Sequence, residues 1–340
     1  MRDILSQYGF DEKDCVIRPF GNGLINNTWL LEVKGENFIL QKINESVFHS
    51  PADIAFNIRL IGTYLHQQHP DYLFVSPLQT LDAKDLAVWE DGHFRIFPFV
   101  KDAHAIDVVE SPAQAYEAAK QFGRFTKYLS GLDLNQLKIT LPDFHNLTLR
   151  YQQFEHALQF GNKERIKQSK ELIECITRHK TIVGEFEFSR QDFKRRCTHH
   201  DTKISNVLFD AEYNGLCVID LDTVMPGYFI SDVGDMMRTY LSPVSEEEKE
   251  FSAIEVRKDF YKAIVDGYYE EMKEELMEAE KEQFLFAGKF MIYMQAIRFL
   301  TDHINNDVYY GAKYEGHNFV RAGNQATLLQ RLIQFKRTLF

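Results

Sequence analysis

Residues 197–222 constrain this chain more than any other stretch. Cys197 and Thr198 lead into His199-His200-Asp201-Thr202-Lys203-Ile204-Ser205-Asn206; an apolar run, Val207-Leu208-Phe209, follows, and a second apolar run ends in Asp220-Leu221-Asp222. The pattern is His-x-Asp-x4-Asn, with an acidic pair beginning nineteen residues after Asp201. A tight loop held between two short strands brings a carboxylate, an amide and a second carboxylate to one point. That is the layout of a phosphoryl-transfer loop, which needs a base for the substrate hydroxyl and oxygen ligands for magnesium. In this reading Asp201 is the base, Asn206 and Asp220 hold the metal, and Lys203 offsets negative charge on the travelling group. His199 organises the loop by hydrogen bonding.

Upstream, Val16 to Phe20 and Trp29 to Val33 read as strands joined through Gly21-Asn22-Gly23-Leu24-Ile25-Asn26-Asn27-Thr28. Gly21 and Gly23 permit close backbone approach to phosphates, and Asn26 and Thr28 add polar contacts. A plain hairpin turn reads the same way. The next strand, Asn37 to Ile43, carries Lys42 where a phosphate-pairing lysine is expected, with Gln41 competing for the inward-facing position because strand faces alternate. Residues 51–69 read as a helix whose one acidic residue, Asp53, stands at its start, leaving no acidic partner for that lysine. Strands are also expected at 72–75, 86–89 and 94–100, and the hinge at Phe99-Val100-Lys101-Asp102 offers backbone to an adenine edge. Two parts follow: a nucleotide-binding lobe, 1–100, and a catalytic and substrate-binding lobe, 101–340.

Beyond the hinge the periodicity becomes helical, at 112–129, 147–160, 163–188 and 284–301. Ser231 or Asp232 is placed to cap a helix. Asp235 and Arg238 either reach the cleft or form an ion pair. Arg298, set among Met291, Met294, Ile297 and Phe299, either faces a cleft or pairs with an acid such as Asp302. A net charge of -11 argues against nucleic acid or an anionic membrane as the main partner. The four cysteines form no Cys-x-x-Cys pair, and no apolar run reaches the length of a signal core or a membrane span. A reducing, cytoplasmic setting is the expectation.

The chain resembles the aminoglycoside and choline kinase-like phosphotransferase family, and within it the N-acetylhexosamine 1-kinases. The residues that carry this are Gly21 to Thr28, Phe38 to Asn44, Phe97-Pro98-Phe99, Pro142 to Asn146, His200 to Lys203, Ile219 to Gly227 and Ile297 to Asp302. The resemblance implies an α+β, bilobal protein-kinase-like fold with a small β-rich N-lobe and a larger helical C-lobe. It also implies magnesium-ATP as cosubstrate and phosphorylation of the anomeric hydroxyl of an N-acetylhexosamine. The same chemistry on choline, a methylthio-pentose, homoserine or an aminoglycoside is the alternative, as is a catalytically silent nucleotide-binding scaffold. The expected nucleotide contacts are Gly21, Gly23, Asn26, Thr28, Lys42 and Phe99. The expected acceptor contacts are His200, Asp222, Arg238 and Arg298, with a small amino sugar as partner and the oligomeric state open. Family members usually have glycine where this chain has His200.

Overall fold

The computed structural model describes the chain except residues 22–24, 91 and 340. Helix α1 (Arg2–Gln7) precedes strands β1 (Cys15–Pro19), β2 (Asn27–Val33) and β3 (Glu36–Lys42); helix α2 (Pro51–Gln68) then leads to β4 (Ala87–Trp89) and β5 (Gly92–Pro98). These five strands form one antiparallel sheet in the order β1-β2-β3-β5-β4. Because side chains alternate across a strand, Leu31, Leu40, Phe94 and Ile96 share one face and pack on Ile4, Leu5 and Tyr8 of α1. The opposite face carries a cross-strand row, Thr28, Gln41 and Arg95, in register across β2, β3 and β5. The strand expected at 72–75 is absent. β4 takes the free edge of β5, and the earlier segment contributes one backbone bond to that strand, from Leu78 N–H to the Ile96 carbonyl.

Helix α2 does not belong to the small sheet's core. Its Ile54, Ile58, Ile61 and Leu65 enter the main hydrophobic cluster of the molecule, and Asn57 bonds the backbone of Lys138 and the Val224 carbonyl. The remainder is mostly helical: α3 (Pro112–Tyr128), α4 (Leu147–Phe160), α5 (Lys163–Gln168), α6 (Lys170–Arg178) and α7 (Thr181–Ser189) come first. Three helices thus replace the continuous periodicity read at 163–188. Two short antiparallel pairs follow, built from β6 (Arg196–Thr198), β7 (Val207–Phe209), β8 (Gly215–Val218) and β9 (Met225–Gly227), with β6 on β9 and β7 on β8. Helices α8 (Phe229–Tyr240), α9 (Lys258–Met272), α10 (Glu278–Lys281), α11 (Phe284–Ile304) and α12 (His317–Leu339) complete the chain. The architecture is the expected α+β, bilobal kinase-like one. No described helix is long and apolar enough to cross a membrane.

Helix α3 starts at a reciprocal capping box between Ser111 and Gln114 and lays Ala115, Ala118, Ala119 and Phe122 inward. It packs on α9 so closely that a Cβ at Gly267 would collide with the Tyr116 carbonyl oxygen, a backbone atom that has no rotamer to escape through. Gly267→Ala is therefore expected to lower the unfolding free energy by ~1–3 kcal/mol in chemical denaturation. Unchanged stability would mean that these helices are less tightly packed.

Candidate active site

The loop after β6 is held by helix α8. Asp232 accepts the backbone N–H groups of His199 (3.0 Å) and His200 (2.7 Å), Asp235 accepts that of Thr202 (2.9 Å), and Tyr240 donates its hydroxyl to the Thr202 carbonyl (2.6 Å). Sequence reading gave Asp232 to helix capping. In the structure it lies inside the first turn of α8 and is turned onto the loop, where burial pushes its carboxyl up to about 7 against the opposing effect of the two amides. Arg238 is the next layer of support. It donates to Asp235 (2.9 Å) and Glu246, and these carboxylates outweigh its burial and raise its pKa, so its guanidinium is occupied by the protein. His199 Nε2 lies 2.9 Å from the Ile219 carbonyl and joins the loop to the start of the acidic pair.

Asp201 stands at the tip of this loop. Its carboxylate sits 3.0 Å from Lys203 Nζ, and Asn206 Nδ2 donates to its carbonyl (2.8 Å) and side chain (3.2 Å). Desolvation alone would raise its pKa, but Lys203 overrides that and holds it below the ordinary value, so the group is ionised at neutral pH. Asp220, in a left-handed conformation (φ 60°), is the opposite case. It faces open space and takes no hydrogen bond from the described residues, and its carboxyl is raised to about 7 by desolvation in the groove, then by the charges of Asp222 and Asp201. The Asn206 amide oxygen likewise has no donor among the described residues. A partnerless carboxylate beside a free amide oxygen suits a hard divalent cation, which the described residues do not enclose with three protein ligands of their own.

The nucleotide side of the cleft departs from the lysine expectation. Lys42 follows strand alternation onto the α1 face, exposed, with Nζ over the Phe94 ring at 5.7 Å. Gln41 holds the cleft-facing position, and its Oε1 accepts two bonds from Arg95 on the neighbouring strand (3.1 and 2.9 Å). Arg95, 2% exposed, then reaches Asp222, 1% exposed, at 2.6 Å. Asn26 Nδ2 completes the cluster by donating to the other Asp222 oxygen (2.8 Å), while its Oδ1 accepts from Asn44 N–H. The acid missing from α2 is thus supplied from across the cleft. Sequence reading missed Arg95; a lone arginine in an otherwise apolar strand was the available signal. Thr28 accepts from Gln41 Nε2 (3.2 Å). Gly21, at φ 73°, lines with Phe20, Asn26 and Thr28 a cavity of about 230 Å³. Phe99 packs edge-on to Phe20, and Gly23 lies outside the described residues.

On the acceptor side, His200 is buried, with Nε2 2.8 Å from the Thr198 hydroxyl and Nδ1 3.2 Å from His145 Nδ1. Its φ of 68° is the left-handed region that glycine enters freely, which accounts for glycine as the usual residue there. Arg298 makes no bond to Asp302, whose oxygens are taken by the N–H groups of Tyr309 and Tyr310 and by Asn318. Instead its guanidinium lies over Phe144, Tyr309 and Tyr310 and lines, with Arg150, a cavity of about 560 Å³. The buried Arg95 and Asp222 pair carries the sharpest stability test. Arg95→Met leaves Asp222 charged and almost unpaired and should cost ~3–5 kcal/mol in chemical denaturation, most of it recovered on adding Asp222→Leu. Equal losses in the single and double variants would deny the coupling.

Solved structures similar across nearly the whole chain include a microcompartment-associated aminopropanol kinase (TM-score 0.64, 15% identity, 99% of this chain and 97% of that one). A spectinomycin phosphotransferase in complex with ADP and spectinomycin matches at TM-score 0.62 and 12% identity, over 97% and 96%. A choline kinase from Cryptosporidium parvum Iowa II matches at 0.58 and 13%, over 96% and 92%. At such identities the likeness is one of fold. The profile of the APH phosphotransferase enzyme family matches residues 16–272, a span that contains the sheet, the catalytic loop and the acidic pair, and the chain belongs to that family.

Proposed function

We propose that this phosphotransferase moves the γ-phosphoryl group of ATP to the anomeric hydroxyl of an N-acetylhexosamine, N-acetylglucosamine or N-acetylgalactosamine. The carrying observation is an Asp201 held ionised by Lys203 together with an Asp220 that has no hydrogen-bond partner among the described residues and follows Ile219, whose N–H meets the Asn206 carbonyl. The acceptor oxygen bonds to the γ-phosphorus while the bond from that phosphorus to the β–γ bridging oxygen breaks. ADP leaves, and the hydroxyl proton passes to an Asp201 carboxylate oxygen. Lys203 lies where negative charge builds on the transferred group. Arg95, not Lys42, is the sheet's cation on the nucleotide side of the cleft; buried and bonded to Gln41 and Asp222, it acts on the phosphates through its positive charge. Asn206 and Asp220 would hold magnesium, which would neutralise charge on the nucleotide's phosphates. The backbone around Gly21 covers the phosphates, and the hinge at Phe99 meets the base.

The solved spectinomycin phosphotransferase complex contains ADP, which supports a nucleotide in the corresponding cleft. The sugar assignment rests on the resemblance of Asp220 to Gly227 and Arg298 to Asp302 to the hexosamine kinases. One observation disfavours choline: Arg298 already stands among Phe144, Tyr309 and Tyr310, so an aromatic cage for a second cation is occupied.

Incubation with magnesium-ATP and a panel of sugars, amino alcohols and aminoglycosides tests the reading. ADP release with N-acetylhexosamines and a sugar 1-phosphate in the phosphorus spectrum are expected. Turnover with another acceptor alone would remove the sugar assignment. Asp201→Asn should lower kcat by ~10²–10⁴-fold with ATP binding retained; near-normal turnover would remove Asp201 from the mechanism.

A further inference from the structure

His145 comes from the segment before α4, 55 residues upstream of His200, yet the two imidazoles meet through their Nδ1 atoms at 3.2 Å. Two nitrogens at that distance share one proton, so one donates and the other accepts. The partners of His200 decide which. Its Nε2 faces the Thr198 hydroxyl (2.8 Å). The Thr198 hydroxyl in turn donates to the Met225 carbonyl (3.2 Å). The hydroxyl has one proton and gives it to that carbonyl, so its oxygen accepts from His200; the proton of neutral His200 resides on Nε2 and its Nδ1 is a lone pair. His145 must therefore carry its proton on Nδ1, which leaves its Nε2 as a bare acceptor.

The surroundings are built for this arrangement. A Cβ on Gly227 would run into the His200 ring and the Thr198 hydroxyl, so the glycine makes room for the imidazole. Burial holds both rings in the neutral form, with His200 lowered to about 3 and His145 lowered well below its usual value, where Arg298, Arg238 and Arg150 add to the effect. His145 Nε2 has no partner among the described residues. The ring stacks on Phe144 (4.4 Å between centroids), which also lies against His200 and under Arg298, a residue of the 560 Å³ cavity. It thus stands between that cavity and the residue preceding Asp201.

We propose that His145 Nε2 is a specificity-determining hydrogen-bond acceptor, which requires of the acceptor molecule an N–H or O–H donor beside the hydroxyl that Asp201 deprotonates. This rests on the reading of the Asp201 cleft as the acceptor site, and with an N-acetylhexosamine the donor is its amide N–H or a ring hydroxyl. A molecule lacking a donor there leaves the imidazole lone pair desolvated and unpaired.

Two measurements test it. Long-range nitrogen–proton correlation spectra of the whole protein at neutral pH should show His145 protonated on Nδ1 and His200 on Nε2; a proton on His145 Nε2 overturns the proposal. In kinetics with N-acetylglucosamine, its N-methyl analogue and its monodeoxy analogues, His145→Phe should raise the acceptor KM about tenfold and leave the ATP KM unchanged. For one analogue the wild-type preference should vanish in that variant; equal preferences throughout overturn the proposal. His145→Gln, which keeps an acceptor atom, should recover most of the loss. If no N-acetylhexosamine is turned over, the sugar assignment fails, and the spectra still decide the state of His145.

Discussion

The buried contact between Arg95 and Asp222 is the interaction on which the rest of the cleft depends. It joins the row of Thr28, Gln41 and Arg95 in the small sheet to the turn that carries Asp220, through two groups almost wholly removed from water. A buried ion pair is weak evidence for stability, because desolvation offsets much of the Coulomb gain. What it fixes is geometry. Gln41 locks the guanidinium from one side, Asn26 holds the second Asp222 oxygen, and the glycine turn, the sheet and the acidic turn share one register. A cation oriented by an acid is what a phosphate-binding lobe requires. This chain reaches that arrangement from β5 and the C-lobe, where the usual pattern employs a lysine on the third strand and a helix acid.

The second constraint is conformational. His200 and Asp220 both hold left-handed φ values without being glycine, and residues in such regions store of order 1–3 kcal/mol each. Helix α8 opposes that cost with Asp232, Asp235 and Tyr240, all bonded to the backbone of the loop. This explains why α8 is buried along nearly its whole length, acids included. The aspartates of its first two turns serve the loop and not the helix end, and Arg238 supports Asp235.

How much of this was legible follows from distance along the chain. The convergence of Asp201, Asn206 and Asp220 could be read because they lie within one strand-loop-strand unit, where local spacing fixes geometry. Helices α3 and α4 were equally plain, since their apolar periodicity and caps are local. Arg95 was not, because its role exists only once β5 lies beside β3 and places it opposite Gln41. Pairing partners across a sheet are not encoded in the spacing of either strand. Lys42 drew attention by its charge, while alternation from Leu40 was enough to place it on the α1 face. The His145 and His200 pair was hidden for the same reason, its members being brought together by the packing of the segment before α4 against the loop. The strand read at 72–75 failed on competition: its composition suits a strand, but β4 occupies the edge it needed.

The most direct test of the account moves the cation back. Arg95→Gln should raise the KM for ATP by ~10–100-fold through loss of the buried positive charge beside the phosphates. Adding Gln41→Lys returns a cation to the same row one strand away. The ATP KM of the double variant, measured at saturating acceptor, should recover by at least about tenfold over the single variant. An ATP KM untouched by Arg95→Gln, or an unaltered loss in the double variant, would contradict the claim that this row is where the sheet meets the nucleotide.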